Sequence, residues 1–396
     1  MFSLTSRHAS KLVSSVNCPH QLATRAFSVR NLQVIQNPNS GADKAYDGAF
    51  GVTYTDHMFE ADWCVDKGWS GGLIKPFENL SLHPGSKVLH YAIELFEGIK
   101  AYRGDDGKVR IFRLDQNMNR MLRTAKRAGL PDFDPKELAK CIQRLISQDY
   151  NWVPSTPQGA LYIRPTLIST DPQIGVSAPL FAKLFVILSP MTGSYFGGTR
   201  PRATLLADPK YIRAWAGGVG SFKMGCNYAP TFQIGAEAAK YDCNQVLWLY
   251  GQEELITEVG TMNIFAYFRK PNGKIELATP GLDRGIILPG VVRSSIIDLA
   301  REYKEVEVVE RDITMAELKQ TQKDGSLLGI FGTGTAVGIT PVNTIKYREK
   351  DGSLTDIQVP LDDTPKSLPN RLLKELLDIQ YGRVKKPEWQ FLVEPL

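Results

Sequence analysis

The chain has 396 residues, 43% of them hydrophobic, which suits two domains with separate cores and is too apolar for a disordered protein. Most of the formal net charge of +5 sits in the first thirty residues, where Arg7, Lys11, Arg25 and Arg30 stand without an acid; the rest holds 43 basic and 42 acidic residues. So neutral a body argues against a nucleic-acid partner, which would want a basic face, and no stretch approaches the roughly twenty apolar residues of a membrane span.

The leader combines arginine with many hydroxyl residues and no carboxylate, the pattern of a mitochondrial transit peptide over residues 1–27, with Arg25-Ala26-Phe27-Ser28 as a cutting site after Phe27. Residues 46–112 read as short strands and turns: Gly51 to Tyr54, the Trp63 and Trp69 region, and Lys87 to Leu89. The segment HYAIELFEGIKAYR over 90–103 ends in the turn Gly104-Asp105-Asp106-Gly107, and Val109 to Arg113 is a strand. Asp115 is placed to cap a helix that repeats Met118, Leu122 and Ala125 at helical spacing and carries Arg120. Asp134-Pro135-Lys136-Glu137 is a capping box with proline in the first turn, opening a second helix through Leu138, Ile142, Leu145 and Ile146.

Ala160 to Ser169 and Ala182 to Leu188 are strands apolar enough to lie deep in a sheet. The Pro-, Gly- and Arg-rich interval 191–203 is the best linker candidate. This divides the chain into a small α+β domain over 28–190 and a larger C-terminal domain over 204–396. In the latter, a helix runs from Pro230 to Tyr241 with Phe232, Ala236 and Ala239 on one face, and Gln245 to Leu249 is a strand. Residues 255–268 are extended, and Pro271-Asn272-Gly273-Lys274 turns them into Ile275 to Ala278. Leu288-Pro289-Gly290-Val291-Val292 opens a helix, Thr314-Met315-Ala316-Glu317 caps a short one, and Leu368 to Tyr381 is the last.

Several chemistries drop out on spacing alone. The five cysteines form no C-x-x-C pair, and all five histidines precede residue 91, so no zinc ribbon and no H-E-x-x-H helix is present. No metal site is expected. Lysine is left as the more plausible nucleophile.

Residues 217–230, GGVGSFKMGCNYAP, surround Lys223 with glycines that permit tight turns, and flank it with Phe222 and Met224. Apolar surroundings disfavour an ammonium, and a neutral amine forms a Schiff base with a carbonyl compound such as pyridoxal phosphate. The alternative is an ordinary solvated lysine on a loop. Gly332-Thr333-Gly334-Thr335-Ala336-Val337-Gly338 is one residue longer than a dinucleotide fingerprint, and Pro341 blocks the helix that a pyrophosphate needs, yet such a turn suits a single phosphate. The first turn of the helix at Val291 and Val292 offers a second anion site through backbone N–H groups. Glu258, alone in an apolar strand, requires a cation: either a structural salt-bridge partner or the protonated nitrogen of a cofactor ring.

The motifs FEGIKAYRG, NRMLRTAKRAGLP, GGVGSFKMGCNYAP, ITEVGTMNIF and LPGVVR resemble the branched-chain-amino-acid aminotransferases, two-domain fold-type IV pyridoxal-phosphate enzymes of mixed α/β and α+β class. The resemblance, which covers nearly everything from residue 50 on, implies Lys223 as the cofactor-bound lysine and acid/base, Tyr228 at the cofactor's phenolic oxygen and Glu258 at the pyridinium. It implies Arg120, Val291, Val292 and Thr335 around the phosphate. Thr261 and Ala336 would meet the substrate α-carboxylate, Phe50, Phe96, Tyr162 and Tyr195 its side chain, and Arg164 the γ-carboxylate of glutamate. Tyr91, Ile174 and Val176 would come from the neighbouring subunit of an obligate homodimer. The activity implied is ping-pong transamination between leucine, isoleucine or valine and 2-oxoglutarate in the mitochondrial matrix, with no nucleic-acid or membrane partner. Rivals are a D-amino-acid aminotransferase, an aminodeoxychorismate lyase, and a silent dimer that only binds phosphate-bearing ligands. The animal mitochondrial form carries a C-x-x-C pair where this chain has Val337 and Thr340, so thiol regulation there is not expected.

Overall fold

The computed structural model describes residues 27–42, 50–192 and 202–396. Its first sheet runs, edge to edge, through Gln33–Val34, Leu73–Pro76, His57–Cys64, Phe181–Met191, Ala160–Ser169, Ile99–Arg103, Val109–Phe112 and Gln390–Val393. The central strand Ala160–Ser169 shows how its sequence sets the layering, because successive side chains leave opposite faces. Leu161, Ile163 and Leu167 join the core built with helices Leu114–Ala128 and Pro135–Gln148, whereas Ala160 and Tyr162 face the second domain. Both faces are covered, which is why the strand reads as a near-continuous apolar run.

In the second sheet, Leu255–Val259, Gln245–Tyr250, Ala203–Ala207, Gly338–Arg348, Leu327–Gly334 and Met262–Arg269 follow in order, and the last pairs back to the first, closing a ring. Ile275–Thr279 and Val306–Glu310 extend it. Helices Val291–Ala300 and Leu368–Gln380 pack over one side, and their Val291, Val292, Leu372 and Leu376 meet Tyr102, Phe112 and Tyr162 of the first sheet in a shared core. The functional seam lies along that contact.

Both capping motifs fold as their chemistry dictates. Asp134 accepts from the backbone N–H groups of Lys136 and Glu137, and Thr314 from that of Glu317. Elsewhere the structure corrects the reading. Lys87–Tyr91 is a short helix rather than a strand, since so brief an apolar run carries no period that separates the two. Arg113, in the left-handed region, precedes the helix that Asp115 was expected to cap. Helix Thr231–Ala239 buries Ile234 and Ala238, while Phe232 is 75% exposed. The stretch 255–268 is two antiparallel strands reversed at Gly260-Thr261. The chain also returns to its first domain: Gln390–Val393 pairs with Val109–Phe112, so 204–396 is not one spatial unit.

Phe27 bears on the leader, whose residues 1–26 lie outside the described residues. Expected to depart with it, Phe27 is instead 1% exposed and packs edge-on against Trp69 at 5.2 Å and Phe59 at 5.8 Å. Next to it, the Val29 N–H donates to Glu137 Oε2 at 3.0 Å. A cut after Phe27 would remove a core side chain. Phe27→Ala is expected to lower the unfolding free energy by about 3 kcal/mol, read as a shifted urea midpoint; an unchanged midpoint would show that the ring is dispensable to the core.

Candidate active site

A cavity of about 250 Å³ opens along the seam between the two sheets. Lys223 enters it from a loop that the Leu114–Ala128 helix grips from behind. The Lys223 N–H donates to Thr124 Oγ1 at 3.3 Å, its carbonyl accepts from the Phe96 N–H at 3.2 Å, and Arg123 donates to the Ser221 carbonyl. Gly217 takes φ +81°, and a Cβ on Gly220 would lie 2.2 Å from that of Ala214, so two of the loop's glycines are required by geometry.

Lys223 Nζ donates to the Tyr228 hydroxyl at 2.8 Å and lies 4.7 Å from the centre of the Phe96 ring. Its apolar neighbour is therefore Phe96, not Phe222. The ring of Phe222 stacks under Arg123 at 4.7 Å, and Met224 bridges to Leu95 through its backbone. Near-extended chain alternates its side chains, which is why the residues beside Lys223 in sequence point elsewhere.

Helix Val291–Ala300 points its N-terminus at the same cavity, with Gly290 as a cap that offers no side chain and no acid in the first turn. Its unclaimed N–H groups and dipole favour an anion. Facing it, Thr333 Oγ1 is buried without a hydrogen-bond partner, and Thr335 lines the wall. Arg120 completes this end. Its Nε and Nη2 donate to Glu97 at 2.8 and 2.7 Å, and its Nη1 to the Pro289 carbonyl at 3.0 Å. Burial works against the Arg120 cation, but Glu97 overrides it, and the pKa lies above the ordinary arginine value.

Glu258 has both partners of a buried carboxylate: Arg213 Nε lies 2.8 Å from Oε2, and the Leu288 N–H donates to Oε1 at 3.0 Å. Burial nevertheless raises its pKa, with Arg213 restraining the rise. It lines a smaller adjoining cavity that shares Tyr228, Thr261, Asn263 and Leu288 with the main one.

At the other end the walls are apolar. Phe50 meets Tyr162 edge-on at 4.7 Å, and Phe96 meets Tyr228 at 4.9 Å. Arg164 lies across Phe96 and Tyr162 with ring-centre distances of 4.8 and 5.2 Å, donates Nη2 to the Tyr162 hydroxyl at 3.2 Å, and leaves Nε unpartnered. No carboxylate pairs with it among the described residues. Thr261 and Ala336 line the same space. Tyr91, Ile174 and Val176 do not: they are exposed, with the Tyr91 hydroxyl donating to the Ile174 carbonyl at 2.5 Å. Tyr195 lies outside the described residues.

The structure adds Glu97, Arg213, Asn263, Thr333 and Gln245 to the site or its immediate support. Glu97 carried a weak signal as a polar residue in an apolar run, and Thr333 stood in the glycine-threonine turn read as a phosphate site; Arg213 carried none.

A family model, Amino-transferase class IV, matches residues 94–345. The chain is 50% identical to the cytosolic branched-chain-amino-acid aminotransferase of Ovis aries over 87% of its own length and 88% of that protein's. The chain belongs to the class IV aminotransferases, in the branched-chain-amino-acid aminotransferase family. It is also 48% identical to the mitochondrial form of Bos taurus, covering 94% of this chain and 93% of that one. A solved branched-chain amino acid aminotransferase from Thermobaculum terrenum in its pyridoxal-phosphate form aligns with a TM-score of 0.67 at 21% identity, over 86% of this chain and 99% of that one, which shows the shared fold-type IV architecture.

Glu97 is the support on which the Arg120 end of the cavity depends. Glu97→Ala would leave a buried guanidinium with no counter-charge, and is expected to cost roughly 3 to 5 kcal/mol of stability in denaturant unfolding; wild-type stability would mean that Arg120 finds solvent instead.

Proposed function

We propose that the chain exchanges amino groups between L-leucine, L-isoleucine or L-valine and 2-oxoglutarate, and that pyridoxal phosphate is its cofactor. One observation carries the reading: Lys223 opens into a cavity that joins an apolar wall to an arginine, Arg164, with no carboxylate partner among the described residues. A branched aliphatic side chain fits the rings of Phe50, Phe96 and Tyr162. Glutamate brings a second carboxylate that such a wall alone would reject, and Arg164 receives it. The relatives named above support the same substrates, and their printed names favour neither a D-amino-acid aminotransferase nor a lyase.

The residues present fit the cofactor. The free N–H groups of Val291 and Val292 with Thr335 and the unpartnered Thr333 hydroxyl suit its phosphate, with Arg120 adding positive charge behind them. Glu258, paired with Arg213 at 2.8 Å, suits the ring nitrogen, and Tyr228 the phenolic oxygen. When bound, pyridoxal phosphate supplies an aldehyde that takes the amino group and a ring that accepts the electron pair left at Cα.

Lys223 Nζ is the proton carrier. It takes the proton from Cα of the donor amino acid and, in the second half of the cycle, delivers one to Cα of the nascent glutamate. The Tyr228 hydroxyl 2.8 Å away holds the amine in place between these steps. Thr261 and the Ala336 N–H orient the α-carboxylate, so that the Cα–H bond points at the amine. The shared aromatic wall excludes water, which strengthens every one of these contacts.

The enzyme works as a homodimer in which Tyr91, Ile174 and Val176 of each chain complete the apolar pocket of the other. Exposure supports this: Val176 is 86% and Ile174 66% exposed. The loop that carries them is nonetheless fixed, because the fully buried Lys87 donates to Ser177 Oγ at 2.8 Å and pairs with Asp171 at 3.4 Å. A fixed apolar edge is a docking surface. The leader supports delivery to the mitochondrial matrix, with the cut placed ahead of Phe27.

Lys223→Ala is expected to lower turnover of leucine with 2-oxoglutarate by roughly 10⁴-fold or more without altering the far-ultraviolet dichroism; appreciable residual turnover would remove Lys223 from the chemistry. Arg164→Met should raise KM for glutamate roughly thirtyfold, equivalent to about 2 kcal/mol, and leave leucine little changed. Equal losses for both amino acids would assign Arg164 to the wall alone.

A further inference from the structure

Much of the charge around the cavity is paired. Arg120 is matched by Glu97, Arg213 by Glu258, and Arg293 by Glu310 at 2.8 Å. Among the described residues Arg164 and Lys223 have no carboxylate partner. Nor has Lys100. It sits on strand Ile99–Arg103 directly opposite Tyr162, so its side chain leaves the same face of the sheet as that cavity residue. From there it crosses the seam, and Nζ donates to the Ala336 carbonyl at 2.7 Å.

Among the described residues that carbonyl is its one polar partner, and no carboxylate lies in ion-pair range. The contrast is with Lys87, whose buried ammonium has Asp171 and Ser177. A carbonyl dipole orients an ammonium without neutralising it, and the cost of holding that charge shows as a pKa pulled down by burial to about 8. An uncompensated cation behind a ligand-binding turn is stabilised when an anion arrives in front of it. Glutamate carries two carboxylates, and beside Lys223 the seam offers Arg164 and Lys100 as cations with no carboxylate partner among the described residues. Arg164 lies at the aromatic end, among Phe96 and Tyr162, whereas Lys100 holds the turn at Ala336.

Resting on the transamination reading above, we propose that Lys100 is a positioning residue for the α-carboxylate subsite: its ammonium locks the Thr335-Ala336-Val337 turn against the first domain and supplies the positive charge that the carboxylate common to every substrate requires. Three consequences separate this from a merely structural tie. The charge matters and not only the hydrogen bond. Donor and acceptor amino acids are affected alike, since both carry the α-carboxylate. Binding of a simple carboxylate is affected even where no turnover occurs.

The test uses the cofactor-loaded full chain and three variants. Lys100→Met removes charge and hydrogen bond, Lys100→Gln keeps a donor for the Ala336 carbonyl, and Lys100→Arg keeps the charge. Calorimetric titration with isocaproate, a branched carboxylate without an amino group, reads the subsite independently of chemistry. Affinity is expected to fall about tenfold in both Lys100→Met and Lys100→Gln and to recover within about threefold in Lys100→Arg. Steady-state KM should rise by the same factor for leucine and for glutamate, with kcat within about twofold of wild type. Wild-type isocaproate affinity in folded Lys100→Gln, or an effect confined to one of the two amino acids, would overturn the proposal. Should Lys100→Met fail to fold, the Gln and Arg variants decide between charge and scaffold. Failure of the wild-type enzyme to turn over leucine would instead refute the transamination reading, and the isocaproate comparison would still report on Lys100.

Discussion

The arrangement of this molecule turns on where it puts buried charge. Two sheets meet along a seam that must be dry for its hydrogen bonds to be strong, yet the chemistry needs several cations there. Each unpaired cation in such a place costs several kcal/mol, so most are matched by a carboxylate from a different part of the chain. Glu97, from the turn between strands Glu94–Phe96 and Ile99–Arg103, takes two donors of Arg120, which rises from the Leu114–Ala128 helix. Arg213 and Glu258 repeat the arrangement in the second domain. What remains unmatched marks where ligand charge belongs, and the vacancy is as informative as any motif.

The same helix that carries Arg120 also holds the reactive loop. Arg120, Thr124 and Arg127 follow one another at helical spacing, with Arg123 beside them, and all four face the seam or the loop behind it. Thr124 accepts from the Lys223 N–H, Arg123 donates to the Ser221 carbonyl, and both Arg123 and Arg127 cover the Phe222 ring. A glycine-rich loop would otherwise place Lys223 loosely. Positioning by a helix is more exacting than positioning by a loop, so one rigid element sets both the amine of Lys223 and the guanidinium of Arg120, with a fixed distance between them.

What the sequence disclosed and what it concealed divides along contact range. The capping boxes at Asp134 and Thr314, the strand Ala160–Ser169, the hairpin about Asn272-Gly273 and the Lys223 loop are local patterns, legible because adjacent residues produce them. Most of the site residues named from the motifs do line one cavity. The pairings that make the cavity work were not legible. Glu97 meets Arg120 across 23 residues and Lys100 meets Ala336 across 236, and nothing near either position announces its partner. Phe27 was misread for a related reason: its neighbours spell a cutting site, while its value to the fold comes from Phe59 and Trp69.

On the proposed reading, the pleat of a single strand lets one pocket take two unlike substrates. Along Ala160–Ser169 the side chains of Leu161, Ile163 and Leu167 join the core with the helices. On the other face Tyr162 and Arg164 are successive outward positions, so an aromatic ring and a guanidinium are placed side by side by the two-residue repeat alone. Stacking on Phe96 and Tyr162 lets the guanidinium lie flat against the wall when the substrate is aliphatic, its charge spread over two ring faces. Its unpartnered Nε would then be available to an entering carboxylate. Lysine could not serve in that position, because a point charge on a flexible stem neither stacks as a plane nor offers a second donor in fixed geometry. The dual pocket follows from an arginine placed two residues from a tyrosine on a strand whose opposite face is already committed to the core.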